Sequence, residues 1–151
     1  NGTLLACSLA ASPLALSHFD DKEVLQSYRQ SWFAMLAFNF GPVVAMLKGE
    51  GPGDEQRLAV SAGQLAALAD MDISRGFAAG SEKGTTRAKP AVWDNPNDFA
   101  AKMEDFRVAA TTLNETVAGG DRKAISEQIP ATGKACKACH DEYKSDNYLY
   151  R

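Results

Sequence analysis

One five-residue run, from Cys136 to His140, constrains this chain more than any other feature of its sequence. It reads C-x-x-C-H, the attachment signature of a c-type haem, in which two thiols add to the porphyrin vinyl groups and the histidine binds the iron. Residues three and four positions apart share one face of a helix, so Cys136, Cys139 and His140 can approach one cofactor together. The run therefore predicts one covalent haem c per chain, attached through Cys136 and Cys139, with His140 as the metal ligand.

Two other kinds of site use closely spaced cysteines, and the sequence disfavours both. A redox-active C-x-x-C is typical of a thioredoxin-like arrangement of strands and helices, and no strand pattern surrounds this one. A structural zinc site needs four ligands. The chain offers one further cysteine, Cys7, and one further histidine, His18, and both lie far away near its start.

The composition is that of an ordinary globular domain. The 151 residues suit one domain, and 45% of them are hydrophobic and 23% charged. The formal charge is −3, and no basic patch of the kind that binds nucleic acid is present. There is also no unbroken apolar run of about eighteen residues, so no membrane-spanning helix is predicted.

The first 17 residues differ from the rest of the chain, because they are rich in leucine and alanine and carry no charge. They resemble the apolar and cleavage regions of a secretory signal, with a candidate cut after Ala15. Cys7 follows a loose lipoprotein-type sequence, which makes lipid anchoring an alternative, and an ordered N-terminal extension is another. We therefore expect a periplasmic protein in which 1–17 is a leader or extension and 18–151 is the folded domain.

Helical periodicity dominates the remainder and predicts four segments. They cover approximately residues 20–48, 54–71, 96–118 and 121–148, with a long connection without periodicity at 72–95. Asp54, Asn95 and Asp121 are suitable N-terminal caps, and Pro96 suits the first position of a helix. Pro42 and Pro130 fall inside segments, where proline predicts a kink or bend.

The apolar residues of each segment recur at spacings of three and four, which is the packing face of a bundle helix. The predicted core residues are Val24, Leu25, Tyr28, Trp32, Met35, Leu36 and Val43 in the first segment, Leu58, Ala62, Leu65, Leu68 and Ala69 in the second, and Phe99, Met103, Phe106, Ala110, Leu113 and Val117 in the third. Four such helices with two short turns and one long loop predict an all-α, antiparallel four-helix bundle.

At this point the chain resembles a known family, the cytochromes c′, or class II c-type cytochromes. Members carry C-x-x-C-H in the last helix, as this chain does. The resemblance covers residues 20–151 and depends on four stretches: Tyr28-Arg29-Gln30-Ser31, Phe77 with Gly80-Ser81-Glu82, Pro90-Ala91-Val92-Trp93, and Cys136 to Lys144. It implies an up-down-up-down bundle that encloses the haem, and a homodimer formed through the first two helices.

The resemblance also implies roles for particular residues. His140 is the proximal ligand and Lys144 is a cation near the proximal pocket, where arginine is commoner and has a more fixed geometry. Arg29 and Gln30 match positions that approach the haem propionates, and Phe77 and Phe106 are further candidate haem contacts. Phe33 matches the position over the open face of the iron, although its spacing alone would equally suit an ordinary core aromatic.

These roles give an expected function. A phenylalanine over the iron cannot donate a hydrogen bond to bound dioxygen, whereas nitric oxide and carbon monoxide bind ferrous haem without such a bond. We therefore expect a five-coordinate, high-spin iron that binds these two gases, discriminates against dioxygen and serves in nitric oxide binding or tolerance, with electron transfer to an unknown redox partner. The alternative is a low-spin electron carrier in which Met35 is the sixth ligand. No enzymatic site is predicted.

Overall fold

The computed structural model describes residues 23–49 and 55–149. These residues form five α-helices and one 3₁₀ helix, namely α1 (Val24–Leu47), α2 (Glu55–Ala69), the 3₁₀ helix (Ile73–Phe77), α3 (Ala91–Asp94), α4 (Pro96–Gly119) and α5 (Arg122–Tyr143). The long helices pack α1 on α2, α2 on α4 and α4 on α5, and α5 returns to α1. The predicted all-α four-helix bundle is confirmed, with α3 as an additional single turn inside the connection.

Several predicted features lie outside the described residues. They are the leader at 1–17 with Cys7 and His18, the start of the first helix at Asp20 or Asp21, and the Asp54 cap. They remain predictions.

The boundary between α4 and α5 follows the local sequence. Gly120 adopts a left-handed conformation with φ of 73°, which a glycine reaches without steric cost. The carboxylate of Asp121 then accepts hydrogen bonds from the backbone amides of Lys123 and Ala124, at 2.9 and 3.2 Å. This side-chain cap begins α5 at the predicted place.

The predicted end of the last helix near Tyr148 is wrong. The helix ends at Tyr143, and Lys144 has an extended conformation and forms an antiparallel bridge with Ala88. The amide of Lys89 donates to the Tyr143 carbonyl at 2.8 Å. Hydrogen bonds to the α2–α4 connection therefore replace the helical ones, and these partners are distant in sequence.

The inner face of α1 is more polar than predicted. Gln26, Arg29 and Asn39 are buried along it together with Trp32 and Val43. Val24 and Met35, which were predicted to be core residues, are instead 51% and 44% exposed. The helix is rotated in this way because Gln26 and Arg29 bond to the connection after α2, a partner that periodicity cannot reveal.

By length and hydropathy alone, α1 would also be a candidate membrane span among the described helices, although it contains no unbroken apolar run of that length. Its environment indicates a bundle helix instead. It packs against α2 and the 3₁₀ helix and buries three polar side chains, Gln26, Arg29 and Asn39, on its inner face. It is assigned as helical throughout, including Pro42.

The inner face of α5 positions the haem-attachment run. Its buried residues recur at spacings of four, three, seven and four, which keep them on one side of the helix, and they are Ile125, Ile129, Thr132, Cys139 and Tyr143. Ile125 and Ile129 belong to the main core, whereas Cys139 and Tyr143 pack with Val92 and Phe99 in a second cluster. One side of α5 therefore packs in the main core at its start and holds the attachment site near its end. The helix is continuous through Pro130.

Candidate haem-attachment site

The two cysteines of the motif lie on the inner side of α5. Cys139 is 8% exposed and Cys136 is half-buried against the main core. Burial raises the pKa of both thiols, that of Cys139 to about 11, because a thiolate loses hydration in apolar surroundings. The two sulfur atoms lie one turn apart on one helical face, which is the spacing that attachment to two porphyrin vinyl groups requires.

The imidazole of His140 faces an aromatic ring on α1. The ring centroids of His140 and Phe33 are 6.5 Å apart, with an angle of 61° between the planes. Desolvation, and after it the charges of Lys144 and Arg87, lower the pKa of His140. The neutral imidazole is favoured, and this is the form that donates a lone pair to a metal.

Phe33 is held in place by Trp32. The two rings make an edge-on contact with centroids 4.8 Å apart, and Trp32 is almost completely buried. The indole nitrogen of Trp32 donates to the carbonyl of Leu68 at 2.9 Å. Phe106 packs on Trp32 with centroids 6.3 Å apart. The predicted site residue Phe106 thus lies behind Trp32 in the main core, while Phe33 faces the histidine.

Hydrogen bonds from Arg29 hold α1 to the connection after α2. Its guanidinium donates to the Gly76 carbonyl at 2.7 Å, to the Ser81 hydroxyl at 2.8 Å and carbonyl at 3.0 Å, and to the Thr86 hydroxyl at 3.1 Å. Arg29 is 3% exposed, and this burial lowers its pKa. A Cβ atom at Gly76 would lie 3.0 Å from the Arg29 Cγ, so the glycine allows this close approach.

The guanidinium of Arg29 also lies over two aromatic rings. Its carbon is 5.0 Å from the centroid of Phe77 and 5.6 Å from that of Trp93, both within the range of cation–π attraction. The indole nitrogen of Trp93 donates to the Phe77 carbonyl at 2.8 Å. The structure therefore brings the predicted residues Arg29 and Phe77 together, with Trp93 as the third member of the group.

Three other predicted residues take separate positions. Gln30 is exposed and donates from its amide to the Thr85 carbonyl at 2.7 Å. Met35 is 44% exposed, away from the Phe33 side of α1. Lys144 follows the last turn of α5, where its amide donates to the His140 carbonyl at 3.0 Å and its charge acts on the histidine.

The residues present fit a c-type haem. Two cysteine sulfurs on one helical face, an adjacent imidazole that favours its neutral form, and apolar side chains packed around them are the donor set and the environment that this cofactor needs. A family model for cytochrome c′ matches residues 25–144. The chain belongs to the cytochrome c′ family. It follows that the family's covalent haem c is attached here, through Cys136 and Cys139.

Relatives of known identity agree with this assignment. A cytochrome c′ of Cereibacter sphaeroides is 36% identical over 145 residues, which cover 93% of this chain and 95% of the relative. The solved structure of cytochrome c prime from Shewanella frigidimarina is 39% identical with a TM-score of 0.79, over 85% of this chain and 99% of that one. A nitric oxide complex of a cytochrome c prime variant from Alcaligenes xylosoxidans has a TM-score of 0.74 at 28% identity, over 85% and 99%.

Two residues beside the site were not singled out from the sequence. Arg87 acts on His140 by its charge, and its guanidinium is held by the carbonyls of Ser145 and Asp146. Tyr143 is buried next to Cys139 in the second cluster. The spacing of Tyr143, four residues after Cys139, was a signal available in the sequence, whereas nothing local indicates Arg87.

Proposed function

We propose that this cytochrome c′ holds a five-coordinate, high-spin iron that binds nitric oxide and carbon monoxide, discriminates against dioxygen, and serves in nitric oxide binding or tolerance together with electron transfer. When bound, the haem supplies an iron centre with one exchangeable position. His140 would hold the iron, and Phe33, whose ring faces the His140 ring, would shield the exchangeable position. The observation that carries the proposal is the 6.5 Å separation of the Phe33 and His140 rings, because a phenyl ring has no lone pair to donate.

Discrimination against dioxygen is supported by the hydrogen bonds of α1. Bound dioxygen gains from a donor above the iron. Three side-chain donors near Phe33 already have acceptors, since Trp32 bonds to Leu68, Gln30 to Thr85, and Arg29 to the connection. Nitric oxide binding is consistent with the nitric oxide complex of the Alcaligenes xylosoxidans relative.

The absorption spectrum of the reduced holoprotein tests the iron coordination. We expect a high-spin ferrous spectrum without sharp α and β bands, and the same spectrum from Met35→Leu, because Met35 is on the exposed side of α1. Titration with nitric oxide and carbon monoxide should then change the Soret band, whereas dioxygen should give no stable complex.

The opposite pair of results would identify the low-spin carrier. A sharp α band in the parent protein that is lost in Met35→Leu would place the thioether on the iron. The proposal of an open, Phe33-covered position would then be withdrawn, while the covalent haem would stand.

We further propose that two copies associate through α1 and α2. Val24, Met35 and Phe38 lie within about 60° on one side of α1, and Phe38 is 78% exposed, which is unusual for a phenylalanine. Val60 of α2 is 52% exposed as well. A solved cytochrome c′ at 28% identity and a TM-score of 0.77 is described as having ligand-controlled dimer dissociation, which supports a dimer for this chain also.

Replacing Phe38 with glutamate should weaken this dimer. Burying one phenylalanine is worth about 1.5–3 kcal/mol, and two copies contribute one each, so we expect dissociation at least about a hundredfold more favourable. Sedimentation equilibrium of the holoprotein measures it. Val108→Glu is the matched control, since Val108 is 51% exposed on α4. A dimer of unchanged stability in Phe38→Glu would exclude this face as the interface.

Export to the periplasm is the last part of the proposal. Haem is attached to c-type cytochromes outside the cytoplasm, and residues 1–17 resemble a secretory signal. Haem staining of the periplasmic fraction should show the protein. Staining in the membrane fraction that is lost in Cys7→Ser would indicate lipid anchoring instead.

A further inference from the structure

A chain of aromatic rings leads away from the haem-attachment turn. Tyr143 is one helical turn beyond Cys139, and both pack in the second cluster with Phe99. The centroid of Tyr143 is 5.2 Å from that of Phe99, Phe99 is 4.8 Å from Phe77, and Phe77 is 6.1 Å from Trp93. Two oxidisable side chains, a phenol and an indole, therefore lie at the two ends of one continuous chain of edge-on and tilted ring contacts.

The phenol has a proton acceptor already in place. The Oη of Tyr143 donates to the Oδ2 of Asp98 at 2.5 Å, a short, charge-assisted hydrogen bond. Tyr143 is 5% exposed, whereas the side chain of Asp98 is 56% exposed. The hydrogen bond to Asp98 and then burial raise the pKa of Tyr143 to about 12, so it is a neutral phenol at physiological pH. A proton released by Tyr143 can thus pass through Asp98 to solvent.

The surroundings of Trp93, at the other end of this chain of rings, disfavour oxidation of its indole. Loss of one electron leaves a cation on an indole, and the Arg29 guanidinium is 5.6 Å from the centroid of Trp93. The indole proton is bonded to the Phe77 carbonyl, which is not a base at neutral pH. Tyr143 creates no new cation when its electron and proton leave together. The charges around this chain of rings therefore favour the tyrosine.

We propose that Tyr143 donates one electron to the haem, and its phenolic proton to Asp98, when a hydroperoxide reacts with the reduced protein. Reduction of a hydroperoxide to an alcohol and water consumes two electrons and two protons. The ferrous iron supplies one electron and becomes ferric, and Tyr143 supplies the other and becomes a neutral radical. The Oη–H bond breaks and its proton moves to Asp98 Oδ2, and the two protons that the hydroperoxide consumes come from solvent. The inference rests on the covalent haem and on the exchangeable iron position of the proposed function.

The test is rapid mixing of the ferrous holoprotein with one equivalent of hydrogen peroxide, followed by freeze-quenching and electron paramagnetic resonance. We expect a tyrosyl radical in the parent protein and its loss in Tyr143→Phe. Tyr28→Phe and Trp93→Phe are matched controls and should keep the signal, Tyr28 being a partly buried tyrosine of the main core. In Asp98→Asn the radical should form about a hundredfold more slowly, because the amide accepts no proton.

Three results would overturn the inference: no tyrosyl signal in the parent, an unchanged signal in Tyr143→Phe, or an unchanged rate in Asp98→Asn. Haem staining and the carbon monoxide spectrum are recorded for every sample. These controls distinguish loss of haem or of gas binding from loss of the radical. If Tyr143→Phe does not fold, Asp98→Asn still tests the proton transfer, because Asp98 is at an exposed position where a substitution disturbs the core little.

Discussion

Replacing Phe33 with alanine is expected to accelerate carbon monoxide binding to the ferrous holoprotein about ten- to a hundredfold. To admit a ligand the Phe33 ring must leave its edge-on contact with Trp32, at 4.8 Å, and depart from its preferred rotamer. These two changes cost about 1–3 kcal/mol together, and each 1.36 kcal/mol of barrier is about tenfold in rate. Flash photolysis of the carbon monoxide complex measures the association rate directly.

Phe40→Ala is the matched control for this experiment. Phe40 is a half-buried phenylalanine on the same helix, but its ring lies near Gly133 of α5, where a Cβ atom would be 3.9 Å from it. Its loss should leave the association rate unchanged. Equal rates for the parent and Phe33→Ala would show that Phe33 does not limit access to the iron.

Replacing Arg29 with alanine is expected to lower the free energy of unfolding by about 2–4 kcal/mol. The substitution leaves the oxygens of Gly76, Ser81 and Thr86 without this donor and removes a cation from beside Phe77. Relief from the burial of a charge offsets part of this loss, and the lowered pKa of Arg29 has the same origin. Denaturant unfolding of the holoprotein followed by circular dichroism measures the effect.

Arg122→Ala is the control for the loss of an arginine. The Arg122 side chain is 83% exposed and pairs with Glu55 at 2.6 Å, and such surface pairs contribute about 0–1 kcal/mol. Arg29→Lys separates charge from geometry, because lysine keeps the cation but lacks the planar fork that reaches several oxygens at once. If Arg29→Ala and Arg122→Ala lower the free energy of unfolding by similar amounts, the hydrogen bonds of Arg29 do not hold α1 to the connection after α2.

The last helix shows how far sequence reasoning reaches. The cap at Asp121 was predicted and is confirmed, because it depends on residues close together in the chain. The end of the same helix was predicted wrongly, because Lys144 takes its partner from Ala88. An isolated segment of sequence contains no information about that competing partner.

The existence of the first helix was predicted from the sequence, but its rotation about its own axis was not. Its existence followed from periodicity, but Val24 and Met35 were assigned to the core and are exposed. The rotation of α1 is set by Arg29 and Gln26, which bond to a connection that periodicity described only as irregular. A polar side chain can be buried only where acceptors meet it, and these acceptors come from another part of the fold.

The sequence by itself determined the chemistry, since two thiols and an imidazole at fixed helical spacing already define a covalent haem, and it determined the helical class through its periodicity. The tertiary structure decided which ring faces the histidine, which cation is buried, and that Tyr143 meets Asp98. The physical reason is the range of the interactions. Caps and helical faces are set within a few residues, whereas the contacts around the haem-attachment run join positions that only packing brings together.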